Sequence, residues 1–210
     1  MSLSPIARCA AGLVALVGIA GLAFQFTVSL EKSGTAPDAL WAMLRFFTII
    51  GNALTALVLL SAALGLRRIA TPSRLGGVTL VMGLIGVIYT TLLRNIEHLT
   101  GNAQIANYLL HYAVPLLIAL FWLVFVPRGG LTRLDPLRWA ILPLLYLPYA
   151  IARADADGKY AYPFINVAQL GWGQVAFNVA VIALGFLIVG LLLVWFDRKM
   201  APTNHTVRPE

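Results

Sequence analysis

The stretch Leu44-Arg45-Phe46-Phe47-Thr48-Ile49-Ile50-Gly51-Asn52-Ala53-Leu54-Thr55 lies inside an apolar run long enough to span a bilayer, yet it carries an arginine, two threonines and an asparagine. Arg45, Thr48, Asn52 and Thr55 stand at i, i+3, i+7 and i+10, so a continuous helix puts them near one face. A polar stripe at membrane depth is costly. It normally faces the protein interior or a wet cavity, which makes it a functional-site candidate.

Working outward, the rest of the chain is built from similar runs. Six apolar segments stand out, over about residues 6–30, 39–66, 75–93, 105–126, 137–152 and 172–196. Each is near the ~20 residues a helix needs to cross ~30 Å of hydrocarbon. Arg8 and the run after it have the outline of a signal peptide. The run is long for one, however, and no small-x-small cleavage site follows, so the sequence predicts a retained helix. The predicted fold is all-α: a polytopic membrane protein with one six-helix transmembrane domain over residues 1–196 and a polar cytoplasmic tail over 197–210, including His205. Short connections make sequence neighbours antiparallel neighbours in space.

Composition agrees. Of the 210 residues, 60% are hydrophobic and 11% charged, with a mean hydropathy of +0.86. A soluble domain carries about 25% charged residues. The formal charge of +7 needs no nucleic-acid partner, because no basic and aromatic residues interleave in a binding pattern. The sole cysteine, Cys9, excludes an intramolecular disulfide, a cysteine zinc cluster and a CxxC redox pair. No metal or cofactor is implied.

Lysines and arginines set the expected orientation. Arg8, Arg67, Arg68, Arg74, Arg128, Arg133, Arg138, Arg198, Lys199 and Arg208 fall on one side; only Lys32, Arg94, Arg153 and Lys159 fall in the opposite loops. Both termini are therefore expected in the cytoplasm, in a plasma (bacterial inner) membrane. The acidic residues Glu31, Asp38, Glu97, Asp155 and Asp157 then lie on the outer side. Trp41, Tyr108, Trp122, Trp139, Trp172 and Trp195 sit near helix ends, as interfacial anchors do.

With orientation set, depth can be read. Arg45, Thr48 and Asn52 occupy the outer half of the second segment, and Asn107, His111 and Tyr112 the outer half of the fourth. Tyr89, Thr90 and Thr91 end the third, and Tyr146 and Tyr149 end the fifth. Gln174 and Asn178 begin the sixth. The inner halves are mostly Leu, Val, Ile, Ala and Gly. Polar groups from five segments thus share one depth, as the walls of a cavity open to the outer face or outer leaflet would. The outer loop from Asp155 to Gly173, with Tyr160-Ala161-Tyr162-Pro163-Phe164-Ile165-Asn166, reads either as a lid over that cavity or as a segment lying in the headgroups. Pro115, one turn past His111, is expected to kink its helix.

The chemistry this supports is acyl transfer. A threonine hydroxyl is a weak nucleophile until a base takes its proton, and His111 at matching depth is such a base. Asn52 or Asn107 is placed to donate to an oxyanion, and Arg45 to hold a substrate carboxylate. Tyr112, Tyr146 and Asn178 complete the expected substrate-binding set. No buried carboxylate is at hand to orient the histidine, so this is a dyad, and no GxSxG elbow is present. Thr48, Asn52, Asn178 and Gln174 read equally as interhelical hydrogen-bonding groups.

The segments Phe46-Phe47-Thr48-Ile49-Ile50-Gly51-Asn52, Leu110-His111-Tyr112-Ala113-Val114-Pro115 and Tyr162-Pro163-Phe164 resemble the six-helix membrane family of androgen-induced proteins and the androgen-dependent TFPI-regulating protein, in its bacterial branch. Their order and the six-helix layout extend the resemblance over almost the whole chain. It implies an intramembrane threonine hydrolase of fatty acid esters of hydroxy fatty acids, with Thr48 as nucleophile and His111 as base. Eukaryotic members usually carry a second histidine just before the catalytic one, where this chain has Tyr108 or Asn107. The expected partners are a membrane lipid or fatty-acyl ester and the bilayer itself. The rival readings are a small transporter or channel, and a non-catalytic lipid-binding protein.

Overall fold

The computed structural model describes residues 3–96 and 98–202. Glu97, His205 and Arg208 lie outside them. All regular structure among the described residues is helical.

Helix α1 (Pro5–Ser33) begins where the Ser4 hydroxyl accepts the Ala7 amide at 3.2 Å and Pro5 presets the first turn. It stops at Gly34, whose φ of 79° turns the chain and returns its N–H to the Leu30 carbonyl. Helix α2 (Ala36–Met43) is capped by Thr35, which accepts the Asp38 amide and donates its own proton to the Asp38 carboxylate. Helix α3 (Phe47–Ala63) follows α2 across a bend of 96°.

This bend corrects the continuous helix expected over 39–66. No Gly or Pro interrupts Leu44–Phe46. The break is instead held from outside. The Tyr146 hydroxyl donates to the Arg45 carbonyl at 2.7 Å, and the Tyr149 hydroxyl to the Leu44 carbonyl at 3.1 Å. The Arg153 guanidinium donates to the Trp41 carbonyl and lies over the Trp41 ring. These groups satisfy carbonyls that a continuing helix would have paired internally. Arg45 therefore sits in the elbow, off the stripe; Thr48, Asn52 and Thr55 remain on one buried face of α3.

Helix α4 (Pro72–Ile88) runs on through a π turn, Tyr89–Leu93. Helix α5 (Gly101–Tyr108), a second π turn (Leu109–Ala113) and α6 (Val114–Phe125) make one rod. The π turn ends immediately before Val114 and Pro115. A proline removes one helical hydrogen bond and crowds the carbonyl four residues back, which is that of His111, and a wider turn relieves the clash. The rod lies close to α4 because Gly86 has no side chain: a Cβ there would meet Pro115 at 3.3 Å and the His111 carbonyl at 3.5 Å.

Helix α7 (Asp135–Asp157) and helix α8 (Val167–Lys199) complete the chain, joined through a short 3-10 turn, Pro163–Ile165. The connection 158–166 is shorter than the expected loop, because α8 starts before its break at Gly171 (φ 74°).

Successive rods reverse direction. Arg8 at the start of α1 bonds the Ala63 carbonyl at the end of α3, Arg45 before α3 pairs with Asp157 at the end of α7, and Asp197 near the end of α8 accepts the Leu131 amide ahead of α7. Leu59, Leu75, Met82, Ile118 and Trp122 are fully buried between α3, α4 and the α5–α6 rod, and Leu110 is buried with Met43 and Ile49 against Leu22 and Phe26 of α1. Four rods are long and apolar enough to cross a membrane: α1, α4 with its π turn, the α5–α6 rod, and α8. The bent pair α2–α3, taken as one span, makes a fifth. These helices fit a multi-pass membrane protein.

Two expected interfacial tryptophans prove internal. Trp122 is buried beneath the Arg128 guanidinium, and Trp139 wedges against Gly76 and Gly77, whose missing side chains make room for its ring. Trp41, Tyr108, Trp172 and Trp195 are exposed. Asp197, expected to open the polar tail, is 1% exposed and belongs to the packed body.

Candidate active site

The elbow before α3 fixes where Thr48 sits. Phe46 is the extended cap residue and offers no side-chain acceptor to the first turn. Thr48 is the second residue of the helix, so its amide has no partner within α3; it donates to the Tyr162 hydroxyl at 3.4 Å. That hydroxyl also lies against the Thr48 side chain. Thr48 thus carries its hydroxyl at the positive end of a helix dipole, a setting that favours developing negative charge.

His111 faces it from the π turn. Its Nε2 is 3.3 Å from Thr48 Oγ1, and its Nδ1 is 3.3 Å from the Asn107 carbonyl. A carbonyl oxygen only accepts, so the ring proton resides on Nδ1. The lone pair of Nε2 is then directed at the threonine hydroxyl. Tyr89, from the π turn of α4, stacks on the imidazole with centroids 4.0 Å apart and planes 26° from parallel. Two helices widened by π turns therefore supply the imidazole and the ring that packs it.

Asn52 lies one turn below Thr48 and is completely buried. Its Nδ2 donates to the Thr48 carbonyl at 2.9 Å and to the Leu110 carbonyl at 3.3 Å. It ties α3 to the rod that bears His111, so its amide protons are spent and it faces neither cavity. The oxyanion role expected of Asn52 is corrected to one of position. Thr55 bonds the Gly51 carbonyl within its own helix.

Other expected site residues also take structural posts. Arg45 makes a two-point pair with the Asp157 carboxylate and donates to the Lys159 carbonyl, which occupies the donors expected for a substrate carboxylate. Asn178 donates to the Phe164 carbonyl at 2.9 Å and accepts from Gln174, so it anchors the 3-10 turn. Tyr112 stacks edge-on against Tyr89 and lines neither cavity. Tyr146 lines the apolar cavity with its ring and holds the elbow with its hydroxyl. Asn107 lines the second cavity and gives its carbonyl to His111.

Two cavities meet at the dyad. One, of about 310 Å³, is almost wholly apolar and runs between α4, α7 and α8. The other, of about 390 Å³, is more polar and includes Gln25, Ser29, Lys32 and Asn107 in its wall. Thr48, Tyr89, Leu93, His111 and Tyr162 line both.

The sequence reading assigned no site role to Tyr89 or Tyr162. The signals available were Tyr89 at the shared polar depth and Tyr162 in the aromatic outer segment. Neither reveals a ring stacked on an imidazole or a hydroxyl at a helix start. The chain matches no protein-family profile, no curated protein and no solved structure.

Proposed function

We propose that this protein is an intramembrane hydrolase of lipid esters, with Thr48 as nucleophile and His111 as general base. One observation carries the reading: the unprotonated nitrogen of His111 addresses the Thr48 hydroxyl, while its other nitrogen is held by a main-chain carbonyl. The two lie between cavities sized for a small ligand or one arm of a larger one.

In the first half-reaction His111 Nε2 takes the Thr48 proton as Oγ1 attacks the ester carbonyl carbon. The carbonyl oxygen becomes an oxyanion beside the Tyr162 hydroxyl, which accepts the Thr48 amide and turns its own proton toward the developing charge. Collapse breaks the bond to the alcohol oxygen, which takes the proton from His111. In the second half-reaction His111 deprotonates a water that attacks the acyl-threonine. The fatty acid leaves and Thr48 regains its proton.

The resemblance to the androgen-induced family supports the same assignment. The six rods are read as six spans, α7 included. The end rich in arginine and lysine and both termini then face the cytoplasm of a bacterial inner membrane, and the dyad lies toward the outer face. A transporter would carry a polar-lined cavity on through the inner half; the cavity that runs inward along α7 is almost wholly apolar.

The test is hydrolysis of long-chain esters by purified protein in lipid nanodiscs, with Thr48→Ala and His111→Ala as separate variants. Turnover and fluorophosphonate labelling that survive unchanged in either variant overturn the dyad.

A further inference from the structure

The two cavities differ in a way that sorts the halves of an ester. The apolar cavity extends along α7 from Leu147 to Leu137, about 15 Å at the rise of a helix. Leu84, Ile85, Ala140, Ala183 and Phe186 are among its walls. This is an elongated slot leading from Thr48 into hydrocarbon depth. The second cavity opens among Lys32, Ser33 and Ile96, at the opposite end of the molecule from Arg8 and Ala63. It brings Gln25, Ser29 and Asn107 toward the dyad, with Gln25 donating to Ser29 at 3.3 Å. Lys32 adds a positive charge at its mouth.

Building on the hydrolase reading, we propose a fixed substrate direction. The acyl chain lies in the slot along α7, and a hydrophilic alcohol of headgroup size, such as glycerol or glycerol phosphate, occupies the cavity beside α1. The polarity of the walls dictates the choice. An acyl chain in the second cavity would strand Gln25, Ser29 and Asn107 against hydrocarbon, and a polyol in the slot would find almost no hydrogen-bonding partner. The same direction serves the chemistry. The oxygen released when the ester bond breaks, carrying the proton from His111, already faces the more polar of the two cavities, and the acyl group on Thr48 already occupies the slot.

The experiment uses the full chain in nanodiscs with two ester series. One fixes glycerol and lengthens the acyl chain. The other fixes the acyl chain and compares glycerol and glycerol phosphate with an apolar alcohol of equal size. The kcat/KM is expected to rise about fourfold per methylene until the slot is full, and glycerol esters are expected to exceed alkyl esters by about tenfold. Ala183→Phe, with Ala140→Leu as a second slot-filling variant, lowers the long-to-short acyl ratio by about tenfold and leaves the alcohol preference in place. Gln25→Leu erodes the alcohol preference and leaves the acyl trend in place. Binding of the same esters to Thr48→Ala, followed by native mass spectrometry, is measured alongside. Turnover without these trends overturns the substrate direction alone. Trends in binding without wild-type turnover overturn the hydrolase reading and support the direction. Neither turnover nor trends overturns both.

Discussion

The two ends of the bundle both bury polar groups, and they use them differently. At the end that bears Arg8, Asp135 accepts the Thr132 amide, the Ser73 hydroxyl and the Arg138 guanidinium, while Asp197 accepts the Leu131 amide. The Arg128 guanidinium lies over Trp122 and bonds the main-chain oxygens at the end of α6. Asp135 is held at both oxygens and Asp197 at Oδ2, its Oδ1 being buried without a hydrogen bond; neither carboxylate lines one of the two cavities at the dyad. At the other end, Thr48 and His111 use main-chain contacts to orient themselves and keep one reactive atom each facing a cavity. Buried polarity alone does not mark a site. What marks it is a polar atom that faces a cavity and whose orientation is fixed by bonds made elsewhere on the same residue; Asp197 Oδ1 meets only the second condition.

The contrast is broken most directly at Thr48. Thr48→Ala is expected to lower kcat by about a thousandfold or more, and to abolish fluorophosphonate labelling, because nothing else supplies the nucleophile. His111→Ala should cost about a hundredfold to ten-thousandfold, the range for removing a positioned base. The burst of product in pre-steady-state traces reports whether acylation is the step that fails. Tyr162→Phe removes the hydroxyl at the α3 start and is expected to cost about a hundredfold in kcat; an unchanged kcat would take Tyr162 out of the oxyanion's support.

The opposite end gives the converse result. Asp197→Ala should lower stability by about 1–3 kcal/mol by orphaning the buried Leu131 amide, read as a lower melting temperature, while kcat per folded molecule stays the same. A loss of kcat there would erase the distinction between the two ends.

The smallest effect is expected at the elbow's ion pair. The hydrogen bonds from Arg45 hold the Asp157 carboxyl down to about 2, from an ordinary 3.8. A lowered folded-state value means the contribution is present above the ordinary value and is lost as pH falls through about 2. Melting temperature followed from pH 5 down to pH 2 should therefore fall more steeply in the wild type than in Asp157→Asn. Parallel curves would remove the pair from the elbow's support.

Much of this architecture is legible from pattern. The helical rods follow the apolar runs, and the shared depth of Thr48 and His111 follows from counting residues along antiparallel segments. What pattern misses is made at long range. Arg45 reads as part of a stripe because nothing local breaks the helix; its partner, Asp157, is 112 residues away. Trp122 and Trp139 read as interfacial because they fall near segment ends, and only Gly76, Gly77 and Arg128 reveal that they are packed. Asn52 reads as a donor for catalysis because sequence does not show that the Thr48 and Leu110 carbonyls already hold its amide.

The tyrosines of α7 reach main-chain oxygens in the elbow, and every amino acid presents those oxygens alike. Leu44 can therefore drift through evolution without mending the break, provided Tyr146 and Tyr149 persist. The instruction to begin a new helix just ahead of Thr48 is written a hundred residues downstream of where it acts. Ancestry traced through this feature would follow the tyrosine pair.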